Sequence, residues 1–431
     1  MPSTADAGAG ATQRRHLARP APVAADADPP GRWRALAVLA LAMVLAMTTW
    51  FSASAVLPQL RSLWGLPQGV ASWLTIAVQL GFVAGALVSA GFNLADLLAP
   101  RRLILLGSVG AASANLGLLV AHGAGAAIPL RFATGFFLAG VYPPALKAMS
   151  TWFRRGRGTA LGIMVGALTL GSAGPHLVNG IGGAGWRSVI VVTSVLTLAG
   201  GLLAELASGD GPYPFPATVF DPRQAGRAFL NRGVRLASLG YFGHMWELYA
   251  MWAWFAAFFT DVLVRHGEDP TSVIRRHAAL ATFAMIGVGA LGCWVGGVLG
   301  DRWGRTRTTA LAMVLSGTCA LTIGLVRNAS PTVVLGVGLV WGFWVVADSA
   351  QFSTIVTEVA DQSYVGTALT LQLAAGFTLT VATIWLVPVL QDHLSWQWAF
   401  GFLAPGPFLG ALAMLRLKAL PEAHAIAHGR G

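Results

Sequence analysis

Charge is what this sequence has least of. Asp, Glu, Lys and Arg make up 10% of its 431 residues while 55% are hydrophobic, against about 25% charged in an ordinary soluble domain. A water-soluble enzyme of this size is thereby excluded. Cysteine is confined to Cys293 and Cys319, both inside apolar runs, so neither a disulfide framework nor a metal-ligand cluster is available, and no cofactor is expected. No His-Glu-x-x-His and no Gly-x-Ser-x-Gly occurs, and His244 with Glu247 lacks a second metal-ligand set. The chain therefore carries no catalytic or metal-binding motif of those kinds and is not expected to be an enzyme. Lysine is nearly absent too: the 28 basic residues are arginines except Lys147 and Lys418.

What is present is a series of long apolar runs. They recur at about 34–57, 70–95, 102–122, 128–150, 158–181 and 187–207, and again at about 235–263, 278–300, 308–326, 332–355, 365–390 and 396–417. At about 20 apolar residues per membrane helix, this is an all-α polytopic membrane protein of twelve transmembrane helices in two six-helix halves. The expected organisation is a disordered Ala-, Pro- and Asp-rich tail at 1–31, a first half at 32–207, a central loop at 208–232, a second half at 233–420 and a tail at 421–431. Arg14, Arg15 and Arg19 precede nothing that resembles a cleavage site.

A net charge of +11 would suggest nucleic acid in a soluble protein. Its distribution assigns it to topology instead. With the first tail in the cytoplasm, 20 of the basic residues fall on cytoplasmic segments, six on outer ones (Arg61, Arg187, Arg265, Arg275, Arg276 and Arg327), and Arg131 and Lys147 within the fourth span. Positive residues stay inside, so both termini are expected in the cytoplasm, with Lys147 snorkelling towards it, and no nucleic-acid partner is expected. Abundant Ala and the low Lys to Arg ratio suit a GC-rich bacterial genome, hence a bacterial cytoplasmic membrane.

The loop after the second span, FNLADLLAPRR (92–102), and that after the eighth, GVLGDRWGRTR (297–307), align with an offset of 205. Asp96 then matches Asp301, Leu94 matches Leu299 and Arg102 matches Arg307. A parallel repeat of this kind is one way to build a secondary transporter. On Gly297, Asp301, Arg302, Gly304 and Arg305 the sequence resembles the major facilitator superfamily, whose signature occupies these loops. The resemblance implies a cytoplasmic latch between the halves, in which a carboxylate takes charge-assisted bonds that must break during alternation. In the first-half copy, Phe92, Leu97, Ala99 and Pro100 replace the motif's glycines and basic residues, leaving Asp96, Arg101 and Arg102 to form any latch.

RFATGFFLAG (131–140) is similar to the family's fourth-span element through Arg131 and Gly135, which implies proton coupling or anion attraction at Arg131. An arginine within a span costs about 2.5–3.5 kcal/mol on insertion scales. GIMVGALTLGSAGPHLVNG (162–180) partly matches the family's antiporter motif through Gly162, Gly171, Gly174 and Pro175. Here one spacing is a residue short, and close helix packing accounts for the small residues equally well.

Of the 17 acidic residues, Glu247 and Asp348 alone fall well inside a span. Tyr241, His244, Glu247 and Met251 share one face of the seventh span. His244 and Glu247 can touch there and pass a proton between them. On the tenth span Trp341, Trp344, Asp348 and Gln351 make a similar stripe, suited to a substrate cavity. Tyr142, Gln372 and His176 complete the candidate cavity. The function expected is alternating-access transport of a small solute, coupled to protons, with efflux of an amphipathic organic compound as the leading direction. Uptake of a small anion, in the manner of nitrate porters, is the alternative; those carry an arginine in the second and eighth spans, absent here. A non-transporting receptor and an intramembrane enzyme are the remaining classes. The expected partners are the solute, protons and the lipid bilayer, with the chain acting as a monomer.

Overall fold

A computed structural model describes residues 29–182, 185–213, 220–267 and 272–431; the segment before them, the middle of the central loop and the side chain of Asp96 lie outside the described residues. Among the described residues there is no strand. Hydrocarbon offers no water to the peptide group, so each apolar run closes its own backbone hydrogen bonds as a helix.

Eleven helices are long and apolar enough to cross a membrane. Spans 1 to 6 are Arg32–Thr49, Gln68–Gly91, Pro100–Val120, Ala124–Ser150, Arg157–Ile181 and Trp186–Ala207. Spans 7 and 8 are Arg232–Arg265 and Val273–Trp303, and spans 10 to 12 are Pro331–Val359, Val365–Leu394 and Trp396–Lys418. The segment expected at 308–326 is the 19-residue helix Arg305–Ile323, taken here as span 9. It is less apolar because it starts earlier than the hydrophobic pattern: Gly304, at φ +100°, turns the chain after Trp303 and carries Arg305, Thr306, Thr308 and Thr309 into the helix, all buried. The outward faces carry exposed Leu106, Val195, Leu202, Leu291, Leu409 and Leu412, a belt that would be a liability in water and is matched to lipid.

The internal repeat is written in the packing. Span 2 packs on span 4, and span 3 on span 6, as span 8 packs on span 10 and span 9 on span 12. Close approach at glycine recurs in register. A methyl group at Gly81 would overlap the Phe132 carbonyl and one at Gly85 the Phe136 carbonyl; in the second half, 211 residues on, Gly292 meets the Phe343 carbonyl and Gly296 the Ala347 carbonyl. Only hydrogen fits, so the paired helices touch backbone to backbone. The fourth helix of each half is also interrupted, at 139–141 in span 4 and 346–348 in span 10. Between the halves, span 5 packs along span 8 and span 2 along span 11.

Alternation puts Arg101, Arg102, Arg302, Arg416 and Lys418 at the end of the bundle where span 1 starts and span 12 finishes, the arginine-rich end, and Arg61, Arg187, Arg265 and Arg327 at the opposite end.

Candidate functional site

A cavity of about 370 Å³ lies on the seam between the halves. It extends from mid-bundle to the arginine-rich end, where Asn93, Ser150, Arg157 and Phe220 line it. Tyr142 and Ser349, 207 residues apart, stand at the starts of the second segments of the two interrupted spans, and both line the cavity. Tyr241, His244, Gln372, Leu373 and Phe377 form the second-half wall; Gln372 Nε2 donates to Ser238 Oγ at 3.4 Å. Lys147, expected to snorkel away, lines the cavity as well. Among the described residues its basic lining residues are thus Lys147, Arg157 and His244, and no carboxylate stands in the lining.

The expected contact between His244 and Glu247 is replaced by two separate cross-helix pairings. The break in span 10 presents Asp348 to span 7, and Asp348 Oδ1 lies 2.9 Å from His244 Nδ1. The other ring nitrogen, Nε2, is 3.0 Å from Ser349 Oγ. Behind this pair and off the cavity wall, Glu247 accepts from Trp341 Nε1 at 2.6 Å and from Ser316 Oγ at 2.9 Å. Trp341 is thereby a buried donor, packed edge-on against Phe400, and does not line the cavity. Trp344 does not either; it is half-buried against Phe343. Gln351 also leaves the expected cavity face. The stripe from Trp341 to Gln351 presumes a continuous helix; span 10 is interrupted at 346–348, and the part after the break faces the cavity with Ser349, Ser353, Thr354 and Thr357 instead.

Arg131, fully buried, binds to neutral acceptors. Its Nε donates to Leu74 O at 3.2 Å, and its Nη1 to Thr49 O, Ser52 Oγ and Asn115 Oδ1, each at 3.1 Å. Its Nη2 donates to Trp50 O. Span 1 narrows to a tighter helix over Met47–Thr49 and restarts at Ser52, which presents the Thr49 and Trp50 carbonyls to Arg131, while Leu74 belongs to span 2. The guanidinium clasps the break and does not line the central cavity.

That break carries Trp50 and Phe51 into an aromatic cluster that ends the cavity at mid-bundle. Trp50 lies 4.9 Å from Phe82 and 5.8 Å from Phe377 (ring centroids), and Phe51 lies 5.8 Å from Trp252. Tyr249 stacks on both Trp50 and Phe51. The plug draws on spans 1, 2, 7 and 11, so both halves own it. Sequence reasoning missed it, since one or two aromatic residues per span give no pattern to follow.

At the arginine-rich end the second-half latch is formed. Asp301 accepts from the backbone N of Thr159 at 3.1 Å and from its hydroxyl at 3.2 Å, which ties span 8 to the start of span 5. Arg305 reaches Asp301 at 3.4 Å, Gln351 Oε1 at 3.1 Å and Glu358 at 3.0 Å. Gln351 Nε2 donates to Gly296 O at 3.1 Å, so Gln351 serves the latch. Gly304 sits where a methyl would overlap the Arg430 carbonyl. Arg302 is exposed, as is Arg102 of the first-half copy, whose neighbour Arg101 lies 3.9 Å from Glu205 of its own half.

The span 5 glycines are packing positions. Gly162, and Gly297 of span 8, let spans 5 and 8 meet, while Gly171 and Gly174 admit span 1, and Pro175 lies within the helix. His176 lies apart from the central cavity, in a second pocket beyond the plug.

Two duplicated six-helix halves around a seam cavity that ends at mid-bundle against an aromatic plug define a membrane transporter of the alternating-access class. The chain belongs to the Major Facilitator Superfamily, whose family model matches residues 39–376. It is 24% identical over 413 residues to the gallate transporter of Pseudomonas putida, covering 84% of this chain and 88% of that protein. It is 26% identical over 220 residues to the proline/betaine transporter of Salmonella typhimurium, covering 48% of this chain and 43% of that one. The chain thus spans under half the length of the proline/betaine relatives it matches. A structure of the proton:xylose symporter XylE of this superfamily superposes with a TM-score of 0.67 at 15% identity, over 90% of this chain and 96% of that one. At that identity the likeness is one of fold.

Proposed function

We propose that the protein moves a small amphipathic organic solute bearing an anionic group across the bacterial cytoplasmic membrane, coupled to protons through His244 and Asp348. The observation that carries this reading is the lining of the central cavity. Aromatic rings of Tyr142, Tyr241, Trp252 and Phe377 give apolar and π surface, Lys147, Arg157 and His244 give basic groups, and among the described residues no carboxylate lines the cavity to repel an anion. Proline, betaine and gallate, the solutes in the names of two relatives, all carry a carboxylate.

The proton site follows from contact geometry. Asp348 and His244 sit side by side, 3% exposed each, and His244 borders the cavity. A proton on the imidazole makes an ion pair with Asp348 and adds a cation to the cavity wall; its departure removes both. Glu247 has two donors of its own and no place on the wall, so we assign it to the support of spans 7, 9 and 10. Efflux, the direction suggested by the span 5 glycines, rests on residues that pack helices. The sign of the proton flux decides it.

The test is reconstitution in liposomes with a trapped pH dye and a panel of aromatic acids, organic cations and neutral amphiphiles. Proton movement driven by aromatic acids, abolished by Asp348→Asn and His244→Ala and retained in Glu247→Gln, is the expected result. A response to cations alone, or loss in Glu247→Gln with Asp348→Asn active, overturns the reading.

A further inference from the structure

Beyond the aromatic plug, on the side away from the central cavity, lies a second pocket of about 100 Å³. It too straddles the seam, with Ser54, Gln59, Arg61, His176 and Asn179 from the first half and Thr260 and Arg275 from the second among its lining residues. His176 is 2% exposed, and neither ring nitrogen has a hydrogen-bond partner. A buried imidazole left with nothing to bond is costly unless something else occupies the site for part of the cycle. Asn179 differs, because its amide is already spent on the Ala55 carbonyl at 2.8 Å. The charge of the pocket is one-sided. Among the described residues Arg61 and Arg275 line it, no Asp or Glu does, and neither guanidinium has a carboxylate within ion-pair distance.

We infer that this pocket is a second binding site, specific for a small anionic group, with His176 donating the buried hydrogen bond and Arg61 and Arg275 supplying the attraction. The inference rests on the transport reading for its place on the pathway: the pocket is separated from the central cavity by the Trp50, Phe51 and Trp252 plug, and parting of the plug would join the two. Its volume, about a quarter that of the main cavity, suits a carboxylate group or an inorganic anion alone. Cationic lining of a cleft raises the local concentration of anions before any contact is made.

The test reads local charge without requiring transport. Thr260→Cys places a thiol in the pocket of the full chain, whose own two cysteines are buried. It is labelled with anionic and cationic methanethiosulfonates of similar size, and each rate is referred to that of a free thiol. The anionic reagent should be favoured roughly tenfold, and both His176→Leu and the surface variant Arg275→Gln should reduce that preference. Arg275→Gln keeps the test informative if His176→Leu fails to fold. Protection of the thiol by benzoate alone identifies the site with a solute carboxylate; equal protection by chloride identifies it with inorganic anions, and either supports an anion site. Equal labelling by the two reagents, or a preference unmoved by both substitutions, overturns the inference. That failure would leave the central-cavity reading intact, because proton-coupled flux in liposomes is a separate measurement.

Discussion

The two halves solve the same problem with opposite charges. Each joins its first, third and fourth helices through a buried polar network: Ser52, Asn115 and Arg131 in the first half, Glu247, Ser316 and Trp341 in the second. The glycine contacts place Arg131 and Trp341 in nearly the same register of the repeat. In the first half the charged member is a cation whose donors all end on neutral oxygens, three of them main-chain carbonyls. In the second it is a carboxyl group held by two neutral donors, with a second acid, Asp348, added beside the cavity. A guanidinium keeps its charge under all relevant conditions, whereas a carboxyl group or an imidazole can gain and lose a proton. Duplication supplied the frame, and divergence left one half with a permanent clasp and the other with the titratable groups.

The comparison breaks most decisively at Arg131. Replacing it by Met removes the guanidinium's bonds to the Thr49 and Trp50 carbonyls at the break in span 1, to the Leu74 carbonyl of span 2 and to Ser52 and Asn115; with hydrogen bonds to a charged group contributing about 1.5–3 kcal/mol each, a loss above about 3 kcal/mol is expected. Thermal unfolding in detergent measures it, and an unchanged melting temperature would remove the clasp. The shared frame is tested next by Gly81→Ala and Gly292→Ala. Each forces a methyl into a facing carbonyl, and overpacking costs about 1–3 kcal/mol. Similar losses in the same assay are expected of the two; a loss in one half alone would show that the register is not shared.

Trp341→Phe removes one of the two donors to Glu247 and is expected to cost about 1.5 kcal/mol, as for a hydrogen bond to a charged group. The smallest effect belongs to Glu247→Gln. Its amide oxygen can accept from Trp341 while its NH2 donates to the Ser316 hydroxyl, which serves in either role. The loss should stay below about 1 kcal/mol, with solute-driven proton flux retained. A loss as large as that of Arg131→Met would place a charge requirement at Glu247 and erase the contrast with Asp348.

Much of this was legible beforehand. Apolar runs of membrane length were placed to within a few residues, because hydrocarbon leaves a polypeptide of that composition only one way to satisfy its backbone. The ninth helix starts earlier than expected because a pattern of hydrophobicity cannot see an arginine, Arg305, that is buried by the bonds it makes to Asp301, Gln351 and Glu358. The Gly297 to Arg305 loop identified Asp301, Arg305 and Gly304 as the latch, though their partners Thr159, Glu358 and Gln351 come from other spans. Gln351 itself was assigned to the cavity, since helical spacing assumes a helix that does not break. The acids were noticed for sound reasons, yet the pairing of His244 went to Asp348 across the bundle, when spacing along span 7 offered Glu247.

The sequence by itself determined that the chain spans a membrane about twelve times, that it is internally repeated, and that Arg131, His244, Glu247 and Asp348 lie within spans. Composition and period suffice for that, because the cost of exposing peptide groups or charge to lipid is paid segment by segment. Tertiary structure alone decided which buried groups meet, which face the solute and which close the path. Those outcomes turn on three interruptions, at Met47–Thr49, at 139–141 and at 346–348, where the chain changes direction by a fraction of a turn. The contacts around each break fix where Trp50, Tyr142, Asp348 and Gln351 point, and at 139–141 the local sequence adds to them, since Pro143 and Pro144 have no N–H to continue the helix.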